Sequence, residues 1–462
     1  MSYAAYLAAK MMRDPATGIA SHVELPSSLF PFQADIVRWA LRRGRAAIFA
    51  GTGLGKSLME LSWASQVADH LGKPVLILTP LAVAPQFIDE ARKFNLPCER
   101  ASSQSDIEQG VYVTNYDKLD RFDLSTLGGI VLDESSVLKS YDGKTRSALI
   151  EGCQTIPFRL AATATPAPND FMELGNHAEF LGVMSYVEML AMFFVHDGGD
   201  TAKWRLKGHG ESEFWRWMCS WSVMLTNPSD LGYSNDGYDL PPLLTHQHTV
   251  AVEYKPSMET GLLFPVEART MQERIGARRS SVDDRVIAAA ALMNGSDRQW
   301  VAWCNLNSES EALAKTVDGA TEVRGSNSND EKERRIEAFR RGDIRVLVTK
   351  PSVCGFGMNW QFCHDTAFVG LNDSFEQVFQ AVRRFWRFGQ TDPVNVHFIA
   401  SEMEGAVVAN LRRKEADAER MIAKMIAHMA DLTTSEIRSV ERQKVDYLPK
   451  PLRLPSFMEQ AA

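Results

Sequence analysis

The octapeptide AGTGLGKS, residues 50–57, stands between the apolar run Ala46-Ala47-Ile48-Phe49 and the helix-like stretch LMELSWASQVADHL. A strand, a glycine-rich turn and a helix start, in that order, are what a phosphate-binding loop needs. Gly51, Gly53 and Gly55, with Thr52 and Leu54 between them, let backbone N–H groups converge on phosphate oxygens, and the helix start adds the positive end of its dipole. Lys56 and Ser57 then fall where a triphosphate and its magnesium ion would lie. A glycine-rich turn without a nucleotide is the plain alternative, and later residues weigh against it. Further along, the apolar run GGIVL closes on Asp133-Glu134-Ser135-Ser136. A carboxylate directly after such a strand can hold the magnesium ion that Ser57 also grips. Asp133 is therefore a metal-ligand candidate, and Glu134 can orient or deprotonate an attacking water.

Two more positions carry chemistry. Gln33 opens the helical pattern PFQADIVRWALRR, in which Phe32, Ile36, Trp39 and Ala40 recur on one face. Its amide offers the donor and acceptor that an adenine edge requires, although by residue type alone an ordinary solvated glutamine is the weightier reading. Arg384 and Arg387, in QAVRRFWRFGQ, are three apart and read as sharing a helical face, from which two guanidinium groups could reach one triphosphate.

The elements that must position these groups are legible as apolar strands. KPVLILTP, GVYVTNY, GGIVLDE and FRLAATATP follow the loop in turn, and RQWVAWCNL, DIRVLVTK, HDTAFVGL and NVHFIA form a second series, with helical stretches such as DEKERRIEAFRRG between them. Near-continuous apolar strands alternating with helices predict α/β units whose parallel sheets are covered on both faces. Such sheets bind ligands at the carboxyl ends of their strands, where Asp133 and Glu134 stand. The second series has no phosphate loop of its own and must supply something else.

At 462 residues, 45% hydrophobic and 23% charged, the chain has material for two or three globular domains. A net charge of −8 excludes a global basic field, so a polyanion site must be a local patch. Cys98, Cys153, Cys219, Cys304, Cys354 and Cys363 are scattered without metal-ligand spacing and read as free thiols of a reducing compartment. No basic leader and no membrane-length apolar run appears, the longest candidate being Val286 to Met293, which predicts a cytoplasmic protein.

Residues 171–264 read as a mainly helical insertion. There Trp204, Trp215, Trp217 and Trp221 interleave with Lys203, Arg205, Lys207 and Arg216, as a stacking and phosphate-contacting surface or, with more weight for Trp217 and Trp221, as packing of a small core. Pro241 and Pro242 mark the passage to the second unit. Arg269, Arg274, Arg278, Arg279 and Arg285 read as a solvated, salt-bridged helix face, with phosphate contact the lesser alternative. From Gly405 the spacing predicts a long amphipathic helix bracing one lobe, followed by a Pro-rich extended end.

Taken together these motifs resemble the superfamily 2 helicases, and most closely their Swi/Snf-type, DNA-dependent ATPase branch. Ala50 in place of a first glycine resembles that superfamily's looser loop. DESSVLKSYDGKTRSAL carries Lys139 and Ala148 where the branch has Lys and Ala, and RLAATATPAPND matches RLxLTGTPxxN through Thr163, Thr165, Pro166 and Asn169. VTKPSVCGFGMNW, with Gly355, Gly357 and Asn359, is similar to the GGxGxN loop, and QAVRRFWRFGQ fits QAxxRxxRxGQ at every fixed position. The resemblance implies two RecA-like lobes over residues 1–170 and 265–404 and a C-terminal brace over 405–462. It implies ATP and magnesium as cofactors, Gln33 on adenine, and Gly357 and Gln380 lining the nucleotide site. Arg384 and Arg387 would be the arginines of the far lobe. It further implies a monomeric motor, in a compact phage or bacterial version, that hydrolyses ATP while moving on nucleic acid, with double-stranded DNA the expected track. An RNA-directed helicase and a non-hydrolysing nucleotide-switched clamp are the alternatives. Ser135-Ser136 departs from the branch's Ala-His, which bears on how this motif signals to the next one.

Overall fold

The computed structural model describes residues 18–20, 23–80, 83–139, 144–167, 170–197, 200–251, 278–354, 359–371, 375–402, 413, 416, 419–430 and 434. The chain enters through the helix Pro31–Arg43, where Pro31 pre-sets the first helical φ and Gly44, at φ 73°, ends the helix with its N–H on Ala40 O. The face foreseen from spacing, Phe32, Ile36, Trp39 and Ala40, is buried.

Nine strands follow in the first lobe: β1 (Arg45–Ala50), β2 (Val75–Thr79), β3 (Glu99–Arg100), β4 (Val111–Asn115), β5 (Gly129–Asp133), β6 (Phe158–Thr163), β7 (Phe194–Asp197), β8 (Asp200–Leu206) and β9 (Ser222–Leu225). Seven of them form one parallel sheet in the order β3-β4-β2-β5-β6-β1-β9, and β7 and β8 make a separate antiparallel hairpin. The central strands are buried throughout and mostly apolar, because helices cover both faces.

The second lobe is a six-stranded parallel sheet, ordered β10-β15-β14-β11-β13-β12, built from β10 (Leu243–Val250), β11 (Trp300–Trp303), β12 (Ala320–Glu322), β13 (Val346–Thr349), β14 (Asp365–Phe368) and β15 (Val394–Ser401). The two-lobe α/β architecture foreseen from the strand series is therefore what the chain adopts. No helix of the described residues is long and apolar enough to cross a membrane.

The structure corrects three expectations. Of the segment 171–264, the described part, which ends at residue 251, does not stand apart from the two sheets. Its strand β9 pairs with β1 along Ala47↔Ser222 to Ala50↔Leu225, and β10 pairs with β15 in the second sheet. The tryptophan-rich helix Glu211–Trp221 packs into the first lobe, where buried Trp221 and half-buried Trp217 are the packing residues their reading favoured, and buried Trp215 is core in place of a stacking surface. A four-residue strand has too little local pattern to announce itself, and only the neighbour it pairs with reveals it.

Of the described arginines in the run, Arg279 is exposed as a solvated face requires, but Arg278 and Arg285 are not. Arg285 is fully buried, donating from Nη1 to Glu309 Oε1 at 2.7 Å and from Nε to Ser281 Oγ at 3.0 Å, and Arg278 is buried beside it. Glu309, on the helix Asn307–Thr316, draws Arg285 inward. Arg269 and Arg274 lie outside the described residues. The tail helix, described over 419–430, places Met425 and Met429 in the first lobe's core, with His428 stacked on Trp215 at 5.5 Å.

Candidate active site

The phosphate loop leaves β1 and turns into the helix Lys56–Leu71. Gly53 and Gly55 hold φ of 88° and 76°, a left-handed conformation open to glycine without strain. A Cβ on Gly55 would also meet Gln33 Nε2 at 2.4 Å. Gly51 N–H donates to Leu225 O at 2.9 Å, which ties the loop to β9. Lys56 curls over the loop, its Nζ donating to Ala50 O at 2.8 Å and Gly51 O at 3.3 Å. Ser57 follows in the first helical turn, while Thr52 is half-buried and Leu54 buried.

Gln33 is buried, and its amide is engaged in both directions. Oε1 accepts from Phe30 N–H at 2.9 Å, and Nε2 donates to Leu54 O at 2.9 Å. It thus acts as a strut between the start of its own helix and the phosphate loop, a role its residue type did not announce.

The acidic pair closes β5. Asp133 is 5% exposed, and burial raises its carboxyl to about 8, with neighbouring Glu134 adding to the rise and Lys56 opposing it. Glu134 has φ 52°, and with Asn95 it is one of two non-glycine residues at positive φ among those described. Such a conformation costs about 1–2 kcal/mol and persists where surroundings enforce it. Thr163 Oγ1 donates to Glu134 Oε2 at 3.3 Å, and Thr165 N–H donates to Thr163 Oγ1 at 3.2 Å. The Thr-rich end of β6 therefore touches the acid directly. Tyr116 hydroxyl donates to Asp133 O at 2.7 Å, fixing the turn from below. Where the sequence has Ser135 in place of Ala, its hydroxyl pairs at 3.1 Å with His177 Nε2 from the helix Leu174–Leu181, and burial pushes that imidazole down to about 4.

Sequence reasoning missed Glu60. It lies one turn beyond Lys56 on the same helix, is fully buried, and neither carboxylate oxygen has a hydrogen-bond partner. Burial, and then the charge of Asp133, drive its carboxyl well above the usual range. Burial pulls the Lys56 ammonium down, against the support of Glu134, Asp133 and Glu60. The four-residue spacing from Lys56 to Glu60 was the available signal.

The second lobe contributes its arginines from turns and not from a helical face, which corrects the periodicity reading. The helix Phe375–Val382 ends before them, and successive turns follow, with Arg384 N–H on Ala381 O at 3.2 Å and Gln390 N–H on Arg387 O at 3.0 Å. Arg384 is buried, donating from Nε to Gln380 O at 3.0 Å and from Nη2 to Gln380 Oε1 at 2.9 Å. Burial and then Arg387 lower its guanidinium to about 10, while Glu134 and Asp133 pull the other way. Arg387 is half-buried and lowered by burial; its Nη1 donates to Asn359 Oδ1, and its Nε has no partner. The next residue abuts the phosphate loop, since a Cβ on Gly53 would lie 2.8 Å from Phe388 N.

Gln33, residues 51–57, Asp133, Glu134, Gln380, Arg384 and Arg387 thus gather around one cleft. Gly357 lies outside the described residues, as do Gly355 and Asn169. The cleft fits a magnesium nucleotide. The left-handed glycines form a concave run of N–H groups, and the Ser57 hydroxyl and Asp133 carboxylate are hard oxygen donors. No group of three or more metal-binding side chains occurs among the described residues, and magnesium does not need one, since waters and phosphates complete its shell.

No family model matches the chain. It is 24% identical over 457 residues to a putative protein, p41, of Acyrthosiphon pisum secondary endosymbiont phage 1, covering 86% of this chain and 98% of that protein. It is 22% identical over 438 residues to the mouse DNA annealing helicase and endonuclease ZRANB3, covering 85% of this chain and 40% of that protein. With the human ZRANB3 the identity is 21% over 418 residues, and the match spans 38% of its length. Among solved structures, the Sulfolobus solfataricus SWI2/SNF2 ATPase core in complex with dsDNA aligns over 90% of this chain and 98% of its own, at 19% identity and a TM-score of 0.41.

Proposed function

We propose that this chain is an ATP-dependent nucleic-acid motor of the Swi/Snf type, which couples ATP hydrolysis to movement along double-stranded DNA. The observation that carries the reading is the convergence at one cleft of a phosphate loop, an acidic pair on β5 and two arginines from the other lobe. The similarity to a DNA annealing helicase over most of this chain supports DNA over RNA as the track.

In this reading the loop N–H groups, Thr52 and Lys56 bind the triphosphate, and Gln33, Gln380 and Gly357 complete the nucleotide site. Ser57 and Asp133 would hold magnesium, which would supply neutralisation of the phosphate charge. Glu134 orients the attacking water and takes its proton, and its hydrogen bond from Thr163 aims the carboxylate. Lys56, Arg384 and Arg387 stabilise the charge that develops on the transferred phosphoryl group. The arginines reach that group only while the lobes are together, so binding favours closure and hydrolysis releases it, moving nucleic acid held across both lobes.

The test is ATP hydrolysis by the full chain measured side by side with duplex DNA, single-stranded DNA, RNA and no nucleic acid. Duplex DNA should stimulate most. Preferential stimulation by RNA would shift the substrate class, and ATP binding without turnover under any condition would leave a nucleotide-switched clamp.

A further inference from the structure

The two aromatic residues that flank Arg387 both fasten onto the segment joining the lobes. Trp386 Nε1 donates to Pro241 O at 2.6 Å. The Phe388 ring lies 4.8 Å from that of Tyr238 and 6.4 Å from that of Phe30, and Phe30 meets Tyr238 edge-on at 5.6 Å. Gly237, at φ 81°, brings the backbone beneath the same ring, since a Cβ there would stand 3.5 Å from it. On its other side Trp386 is covered by the Arg383 guanidinium, 4.5 Å from the ring centre, which also lies over Phe379 at 4.9 Å.

These contacts span the crossing point of the chain. Tyr238 is buried against the first lobe, β10 of the second lobe begins at Leu243, and Pro242 O accepts from Val394 N–H at 3.0 Å. Consecutive prolines fix their own φ, so the crossing is stiff and transmits displacement instead of absorbing it. Among the described residues, the Arg387 guanidinium has a single hydrogen-bond tether, to Asn359, and an unpartnered Nε. Its position is therefore governed by its neighbours in the chain.

We infer that residues 237–242 act as a lever that sets Arg387, with Trp386 and Phe388 as the positioning residues through which lobe movement reaches the guanidinium between them. The inference rests on the reading that Arg387 completes a hydrolytic site. A displacement of about 1 Å at such a group can cost up to ~10²-fold in rate, so a clasp on the crossing segment is a sufficient control.

The test compares Trp386→Phe, which removes the indole N–H and keeps a ring, with Phe388→Leu, which removes the ring packed against Tyr238 and Phe30 at a position 38% exposed and so tolerant of change. Amide exchange at residues 234–240, which needs no turnover, should quicken by about tenfold in both variants. In hydrolysis, Trp386→Phe should lower kcat by about tenfold with KM for ATP unchanged, and this loss should vanish in an Arg387→Ala background. Unchanged exchange, or a kcat loss that adds in full to that of Arg387→Ala, would overturn the lever and leave Trp386 as packing. Absence of hydrolysis in the unaltered chain would instead remove the motor reading, with the exchange measurement still deciding the clasp.

Discussion

Both lobes bury charge beside a parallel sheet, but they finish the task differently. In the second lobe Arg285 and Glu309, each fully buried, are bonded to each other, and the remaining Glu309 oxygen accepts from Asn305 N–H and Leu306 N–H at 2.8 Å. In the first lobe, among the described residues, Glu60 has no partner for either oxygen and Lys56 reaches only backbone carbonyls. A closed network of buried charges is a structural device, and breaking one side of it strands the other. Buried charges left incompletely satisfied in a cleft are a functional signature, because their partner is supplied from outside. In the proposed function the chemistry would lie in the first lobe, with the second contributing the cations of Arg384 and Arg387.

The largest effect expected from breaking this division is at Arg387. Arg387→Ala should lower turnover by about 10³-fold while the first lobe still binds ATP, and Arg387→Lys should rescue little, since an ammonium lacks the planar fork. Turnover restored at saturating DNA would make this turn a DNA contact and not part of the ATP site.

Arg285→Leu should cost the second lobe about 3–5 kcal/mol by stranding Glu309. Denaturant unfolding followed by a probe in each lobe should show the second-lobe transition moving and the first staying in place. A coincident shift of both would show that the lobes do not melt separately.

Glu134→Gln keeps the shape and the contact with Thr163 but cannot accept a proton. It should cost about 10²-fold or more in kcat while ATP binding is retained, in contrast to Lys56→Ala, which should lose binding itself. Near-normal turnover in Glu134→Gln would remove that residue from the mechanism.

Acid should weaken both lobes through histidines held below their ordinary range, His177 in the first and the adjoining His397 and His248 in the second. Burial holds His177 and His397 down at about 4, so below the ordinary imidazole value of about 6.5 the unfolded chain takes up protons that the folded chain refuses. Stability should therefore be full above pH 6.5 and fall as pH drops toward 4, by at most about 3 kcal/mol for His177 and by less for His397, which is less deeply enclosed. Thermal melts of His397→Gln should show that dependence weakened in the second lobe alone, with His248 retaining the rest.

The smallest effect, and the one of opposite sign, is at Glu60. Glu60→Leu removes a buried carboxyl without partners and should raise the stability of the first lobe by about 1 kcal/mol, where Arg285→Leu lowers that of the second. If Glu60→Leu is destabilising instead, the carboxyl has a structural partner and the contrast between the lobes fails.

What the residues determined by themselves was local. The turn from β1 through Gly53 and Gly55, the apolar strands ending at Asp133 and Thr163, and the buried face of the helix Pro31–Arg43 follow from periodicity and from the conformations open to glycine and proline. Those constraints act within a few residues, so they can be read along the chain. Tertiary structure alone decided that the four-residue β9 belongs beside β1, that Gln33 braces the loop at Leu54, and that Arg285 turns inward to Glu309. It also placed Arg384 and Arg387 on turns past Val382, where Arg384 O accepts from Trp360 N–H and Arg387 meets Asn359. Each of these joins residues remote in sequence, and the energy of pairing a strand edge or burying a charge depends on a neighbour that no local pattern names.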